Sequence, residues 1–289
     1  MNRILIIGKT GMLGHVVFRY FEKKGYIVEG TSRNKANEFY YDVLENYKDI
    51  VKIIEKFKPD AVVNCIGVLN KDAEENSDKA ILINSFIPHY LDRLSNEYNF
   101  KLVHVSTDCV FSGRLGKYDE KSIKDAYSVY GQSKALGEID NDRNITLRTS
   151  IIGPDMNKYG IGLFKWFMSQ EGQINGYDRA IWTGVTTIEL AKQIEVALKN
   201  DLSGLYHVIN DKTISKYDLL CLIKKVFEKD ILINRDSSYV SDKSLVRNRC
   251  DFKFDVPSYE VMIEEMKNWI VDNNDIYKDE YVKGKRLWK

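Results

Sequence analysis

The most constraining feature of the chain lies in its first fourteen residues. Ile4-Leu5-Ile6-Ile7 is a run of four aliphatic residues, too short for a buried helix and suited to a strand covered on both faces. Gly8-Lys9-Thr10-Gly11-Met12-Leu13-Gly14 follows directly. From Met12 to Lys24 the apolar residues Leu13, Val16, Val17, Tyr20 and Phe21 recur at helical spacing, and Gly25 ends the run. A strand, a glycine turn and a helix in that order bring bare backbone and unpaired helix N–H groups to one point, an arrangement suited to a pyrophosphate. Gly8, Thr10, Gly11, Met12, Leu13 and Gly14 are therefore expected to bind a dinucleotide. Gly8-Lys9-Thr10 lacks the upstream glycine of an ATPase phosphate loop, which disfavours that alternative.

The alternation continues to residue 150. Strands are expected at 26–31, 61–63, 102–105 and 145–147, and helices at 47–57, 81–98 and 129–138. Strand and helix at this pitch imply a parallel sheet with helices on both faces, and right-handed crossovers make it a doubly wound, Rossmann-type α/β sheet. Beyond 150 the pattern loosens among glycines and aromatics (Gly153, Tyr159, Gly160, Gly162, Trp166, Tyr177, Trp182). A helix at 187–198 and a strand at 205–209 still read as sheet elements, and helices at 216–227 and 259–270 read as a smaller lobe. The expected organisation is a dinucleotide-binding domain of residues 1–150 plus about 186–210. A discontinuous substrate lobe would comprise about 151–185 and 211–289.

Composition narrows the function classes. Lys and Arg number 43 against 42 Asp and Glu, so the chain carries none of the basic excess of a nucleic-acid binder. The basic ending Lys283, Lys285, Arg286, Lys289 reads as a solvated tail. No apolar stretch approaches the roughly 20 residues of a membrane span, and the first apolar run is too short for a signal peptide. Cys65, Cys109, Cys221 and Cys250 are far apart, without zinc-ligand spacing, and read as reduced thiols of a cytoplasmic protein. His15, His89, His104 and His207 read as structural, and no metal is expected.

Two further patterns bear on chemistry. The second strand leads into Gly30-Thr31-Ser32-Arg33, with no carboxylate at its end and Glu29 inside it. A ribose 2′-OH calls for a carboxylate there and a 2′-phosphate for hydroxyls and cations, so Ser32 and Arg33 favour NADPH, with NADH as the alternative. A Tyr four residues before a Lys places both on one helix face, where an ammonium can lower the phenol's pKa and prepare it to exchange a proton with a carbonyl. The chain has this spacing at Tyr20/Lys24, Tyr130/Lys134, Tyr239/Lys243 and Tyr281/Lys285. Only Tyr130/Lys134 opens a helix after a strand ending in hydroxyls, Ser106-Thr107-Asp108.

The glycine turn, Val105-Ser106-Thr107-Asp108-Cys109-Val110-Phe111-Ser112-Gly113 and Tyr130-Gly131-Gln132-Ser133-Lys134 together resemble the extended short-chain dehydrogenase/reductases. Within them the set is most similar to the dTDP-4-dehydrorhamnose reductase branch. The resemblance is firm over about residues 3–150, and beyond it reaches only Leu147–Ser150 and the 182–190 segment. It implies that Tyr130 donates a proton, that Lys134 holds the nicotinamide ribose and tunes Tyr130, and that Thr107, or alternatively Ser106, bonds the substrate oxygen. It places Ser106, Cys65, Ile66 and Gly67 along the cofactor, Asp42 and Val43 at the adenine, and Asn84 in a structural or cofactor-proximal role. Asp108, Val110, Phe111 and Trp182 would join Thr107 and Tyr130 around the substrate, with Lys165, Arg247 and Arg249 as candidates for its diphosphate.

Two positions depart from that branch. Cys109 stands where it usually has Tyr, and Ala126 where it usually has Pro. The related dehydratases carry a Glu at position 109, so Cys109 argues against water elimination. The resemblance implies NADPH-dependent reduction of a nucleotide-activated 4-keto-6-deoxy sugar, feeding polysaccharide synthesis, and is compatible with a homodimer. The alternatives are an NAD-retaining epimerase, which would purify with tightly bound NAD, and a non-catalytic relative that binds the cofactor and regulates a partner.

Overall fold

The computed structural model describes residues 1–157 and 160–281, with the backbone alone for 278–281. Tyr159, the Lys285 of the fourth Tyr/Lys pair and the basic ending lie outside the described residues. Six strands form one parallel sheet: β1 (Arg3–Ile7), β2 (Ile27–Gly30), β3 (Ala61–Asn64), β4 (Lys101–Thr107), β5 (Ile145–Thr149) and β6 (Gly204–His207). Their spatial order is β6-β5-β4-β3-β1-β2. The chain leaves β1 in one direction for β2 and in the other for β3, so the order reverses between β1 and β3. Ligands of open α/β sheets bind at the carboxyl ends of the strands at such a reversal.

Strand alternation explains why both faces are covered. Ile4 and Ile6 of β1, Ala61 and Val63 of β3, and Val103 of β4 enter a core shared with α1 (Gly14–Lys23). Leu5 and Ile7, Val62, and Leu102 point the other way, toward α2 (Ile50–Phe57) and α3 (Ile87–Glu97). A strand buried on both sides has to be apolar throughout, which is what Ile4–Ile7 is. The next helices are α4 (Val129–Leu136), on the second face, and α5 (Thr187–Lys199), which joins the first core. So do α6 (Lys216–Val226) and α7 (Tyr259–Asp272); α8 (Asn274–Tyr281) follows. Among the described residues no helix is long and apolar enough to cross a membrane.

Two helices differ in detail from the expectation. The 47–57 segment begins with a 3₁₀ turn, Tyr47–Asp49, before α2. The 81–98 segment begins with a π-helical stretch, Ile81–Phe86, before α3. A π turn sets residues off the regular helix face, and here it includes Asn84. The buried Asn84 amide bonds both the N–H and the C=O of Val68 (2.8 and 2.9 Å) and the Ser133 hydroxyl (3.0 Å). It is thus a structural latch between the loop after β3 and α4, the first of its two expected roles.

A buried ion pair ties the sheet's far edge together. Arg148 on β5 donates twice to Glu138 (2.7 and 2.6 Å), and both side chains are 1% exposed. Ser106 donates to the same carboxylate at 2.7 Å, and Arg148 also donates to His207 Nε2 on β6 at 2.8 Å. His207 Nδ1–H in turn bonds the Val246 carbonyl at 2.7 Å. Removing one partner of such a pair strands a buried charge. Glu138→Gln is therefore expected to cost about 3–5 kcal/mol in urea unfolding, and the double variant Glu138→Leu/Arg148→Met to recover most of that loss.

Candidate active site

Two backbone approaches shape the rim where β1, β3 and β4 end. Gly8 lies at φ +88°, and a Cβ there would come within 2.5 Å of Ile66 Cγ2 after β3. A Cβ at Gly14 would overlap the Gly8 carbonyl oxygen, so α1 begins against the turn only because residue 14 is glycine. Gly11, by contrast, has room for a Cβ. Among the described residues the Met12 and Leu13 amides have no hydrogen-bond acceptor, and the cap position of α1, Leu13, receives no side-chain bond. The turn is tied back through Gly8 N–H to Thr31 Oγ1 (3.0 Å) and Lys9 N–H to the Thr31 carbonyl (2.9 Å). This places the end of β2 beside it. There Ser32 is buried and Arg33 is exposed, with its charge acting on Asp72. Glu29 lies within β2, as expected.

The remaining cofactor-side residues divide by accessibility. Cys65 and Ile66 follow β3 against the glycine turn, and burial pushes the Cys65 thiol up to about 12. Gly67 sits beside the Asn84 amide oxygen. Asp42 caps the helical turn Val43–Asn46, accepting from the Leu44 amide at 2.9 Å, while the Val43 side chain is buried in the second core.

Tyr130 and Thr107 are brought together by a third close approach. A Cβ at Gly131 would overlap the Cys109 carbonyl oxygen, so glycine lets α4 lie directly on the turn after β4. Ser128 caps α4, accepting from the Gly131 amide at 3.0 Å. The Tyr130 phenol then lies close enough to the Thr107 side chain for that hydroxyl to act on it. Thr107 also donates to Asp108 at 3.1 Å and accepts from the Cys109 amide at 3.1 Å. Burial raises the Tyr130 phenol well above its usual value, Cys109 adds to the shift and the Thr107 hydroxyl opposes it.

The expected lowering of that phenol by Lys134 is not what the structure shows. The Lys134 ammonium donates to the Val105 carbonyl at 2.7 Å and lies 3.4 Å from His104 Nε2, turned toward the strand. Desolvation outweighs any gain for Tyr130, and the same desolvation pulls Lys134 down from 10.5 to about 8, opposed by Glu138 and Cys65. His104, fully buried, is held well below its usual value by burial and then by the Lys134 charge.

Other expected residues lie elsewhere. The Ser106 hydroxyl is committed to Glu138, because neighbouring strand residues face opposite sides, and it does not accompany Thr107. Val110 and Phe111 are fully buried, and Phe111 stacks on Tyr118 at 4.2 Å rather than facing a substrate. Trp182 is 2% exposed, packed against Tyr259 with the Lys216 ammonium 4.8 Å from its ring, so it offers no open stacking face. Lys165 donates to the Asn157 carbonyl. Arg247 pairs with Asp211, and Arg249 pairs with Asp251 over the Tyr206 ring. The Tyr20 hydroxyl bonds Glu195 at 2.5 Å, and that tyrosine is core.

The structure adds Lys216, which sequence spacing did not single out, and Lys243, which spacing paired with Tyr239 and context set aside. Lys216, at the start of α6, and Lys243 both lie within electrostatic reach of Asp108 and Cys109. Burial pulls Lys216 down to about 8. Lys243 is held up against its own burial by Cys109 and Asp108. Both come from more than 80 positions downstream, and only the folded chain reveals them. Among the described residues no group of three or more His, Cys, Asp or Glu side chains could hold a metal ion.

The Lys134 shift has a measurable consequence. A lysine whose folded pKa lies near 8 and whose unfolded value is 10.5 binds fewer protons when folded between those limits, so its burial penalises stability below pH 8 and the penalty fades by about pH 10.5. Between pH 7 and pH 10, wild type should therefore gain stability relative to Lys134→Met, read as the difference in urea midpoints at the two pH values.

Comparisons with known proteins identify relatives of the chain. The family model described as the RmlD substrate binding domain matches residues 1–242. The chain is 29% identical over 253 residues to a dTDP-4-dehydrorhamnose reductase of Aggregatibacter actinomycetemcomitans, covering 81% of this chain and 84% of that one. It is 25% identical over 241 residues to methionine adenosyltransferase 2 subunit beta of Xenopus tropicalis, covering 78% and 72%. Its fold matches a dTDP-4-dehydrorhamnose reductase of Bacillus anthracis in complex with NADP, with a TM-score of 0.78 at 23% identity over 92% of this chain and 98% of that one. The chain belongs to the RmlD substrate-binding domain family.

Proposed function

We propose that the chain is a cytoplasmic, NADPH-dependent reductase of a nucleotide-activated 4-keto-6-deoxy sugar that supplies polysaccharide precursors. The observation that carries this reading is the Tyr130–Thr107 hydroxyl pair at the rim beside the glycine turn. The residues fit the cofactor: the missing Cβ atoms at Gly8 and Gly14 let the turn close on Ile66 and on the start of α1, and among the described residues the Met12 and Leu13 amides there have no acceptor. Thr10 and Gly11 complete that cradle, Ser32 and Arg33 would take the 2′-phosphate, Asp42 and the Val43 backbone the adenine, and Cys65, Ile66 and Gly67 the inner wall.

When bound, the nicotinamide supplies the hydride. Thr107 holds the keto oxygen and Tyr130 hands it a proton, which a phenol kept protonated by burial is able to do. Lys134 would hold the ribose through the same ammonium that now bonds Val105. Lys216 and Lys243 bring positive charge to Asp108 and Cys109, which suits an anionic substrate. The sugar-nucleotide reductase relative at 29% identity supports the substrate class.

The similarity to methionine adenosyltransferase 2 subunit beta favours one second reading, a cofactor-binding subunit that regulates a partner. One assay separates the two: NADPH absorbance followed against 4-keto-6-deoxy sugar nucleotides. Wild type should oxidise NADPH stoichiometrically, and Tyr130→Phe should lose about 10²–10⁴-fold in kcat with unchanged NADPH affinity. NADPH binding without turnover of any such substrate would instead favour the regulatory subunit.

A further inference from the structure

The C-terminal helix reaches the glycine turn through one buried side chain. Tyr277 on α8 is fully buried, and its hydroxyl lies 2.6 Å from His15 Nε2. His15 Nδ1 lies 2.8 Å from the Gly11 carbonyl, inside the turn. Trp269 Nε1 lies 3.1 Å from the Tyr277 oxygen. The helix is seated along α1 by Arg19 on Asp275 (2.8 Å), and the preceding helix α7 by the Lys23 ammonium over the Trp269 ring (4.9 Å).

The donors and acceptors leave one assignment. A carbonyl only accepts, so His15 carries its proton on Nδ1, and Nε2 of the neutral ring must accept from the Tyr277 hydroxyl. An indole only donates, so Tyr277 accepts from Trp269. The relay therefore runs in one direction, from Trp269 through Tyr277 and His15 to the Gly11 oxygen, which also accepts the His15 backbone amide at 3.1 Å.

That endpoint matters because the peptide is planar and trans. The Gly11 carbonyl and the Met12 N–H belong to one peptide unit and point in opposite directions. Holding the carbonyl toward α1 fixes the Met12 N–H away from it, on the side where the turn receives a phosphate. We propose that the C-terminal helix is part of the dinucleotide site, with Tyr277 and His15 as positioning residues that set the Gly11–Met12 peptide. This rests on the dinucleotide reading above and extends it. Trp269 and Tyr277 lie beyond residue 242, outside the stretch that the family model matches.

In Tyr277→Phe the His15 proton is no longer fixed. It can move to Nε2, and Nδ1 then turns a lone pair toward the Gly11 oxygen. NADPH affinity is measured by fluorescence titration, beside the thermal midpoint, for wild type, Tyr277→Phe, His15→Leu and His15→Asn. Tyr277→Phe and His15→Leu should weaken binding about three- to tenfold, which corresponds to the loss of a single modest hydrogen bond. The change should fall on the NADPH KM and not on kcat. His15→Asn keeps a donor at the position of Nδ1 and should restore most of the affinity. Binding within twofold of wild type in both Tyr277→Phe and His15→Leu, whatever their thermal midpoints, overturns the relay's role and leaves the reductase reading standing. Failure of wild type to bind any nicotinamide dinucleotide overturns that reading and this inference with it.

Discussion

Helix α1 starts within van der Waals reach of the turn that precedes it, and that contact sets the geometry of the rest of the site. With any side chain at position 14 the helix would have to retreat from the Gly8 carbonyl, taking its first N–H groups with it. Gly8 is equally fixed from the other side by Ile66, so the ends of β1 and β3 and the start of α1 meet at one point. The reversal of strand order falls between those two strands. Sheet topology opens the crevice there, and the missing Cβ atoms let backbone line it. Beyond the neighbouring strand β4, Gly131 of α4 does the same against the Cys109 carbonyl, and this brings Tyr130 close to Thr107.

Much of this was legible in the sequence because it is local. The Ile4–Ile7 run, the glycine spacing and the 3.6-residue periodicity of α1 each follow from a few adjacent residues, and the order of elements then leaves few topologies. The choice among four Tyr/Lys pairs also came from local context, and the Tyr20 bond to Glu195 agrees with it. What stayed hidden depends on which way a side chain turns. Ser106 and Thr107 are neighbours with the same chemistry, yet strand alternation sends one to Glu138 and the other to Tyr130. Val110 and Phe111 sit in the same motif but pack inward. Lys216, Lys243 and Tyr277 are distant in sequence from what they touch, and no spacing rule reaches across such intervals.

Desolvation dominates the site's electrostatics. It acts in opposite directions on Tyr130 and Lys134, raising the acid and lowering the base, so both are shifted toward their neutral forms. It also keeps the Cys109 thiol protonated, up at about 11, with Asp108 adding to the shift. A thiol in that state is no general base, which gives the departure at position 109 a physical meaning. Elimination of water from a sugar needs a base to take a proton from carbon, and this position does not provide one.

The same reasoning bears on the direction of the chemistry. Reduction of a ketone consumes one hydride and one proton, so the chain's own residues have to present an acid. Oxidation of an alcohol, with which an epimerase begins, needs the phenol to act first as a base. Burial holds the Tyr130 phenol in the protonated form from which reduction starts, but the raised pKa also makes it a weaker acid, and the ammonium that would lower it is turned away to Val105. Lowering the phenol's pKa would require Lys134 to swing from the strand toward Tyr130, giving up a 2.7 Å bond in a buried setting where an unpaired carbonyl is costly.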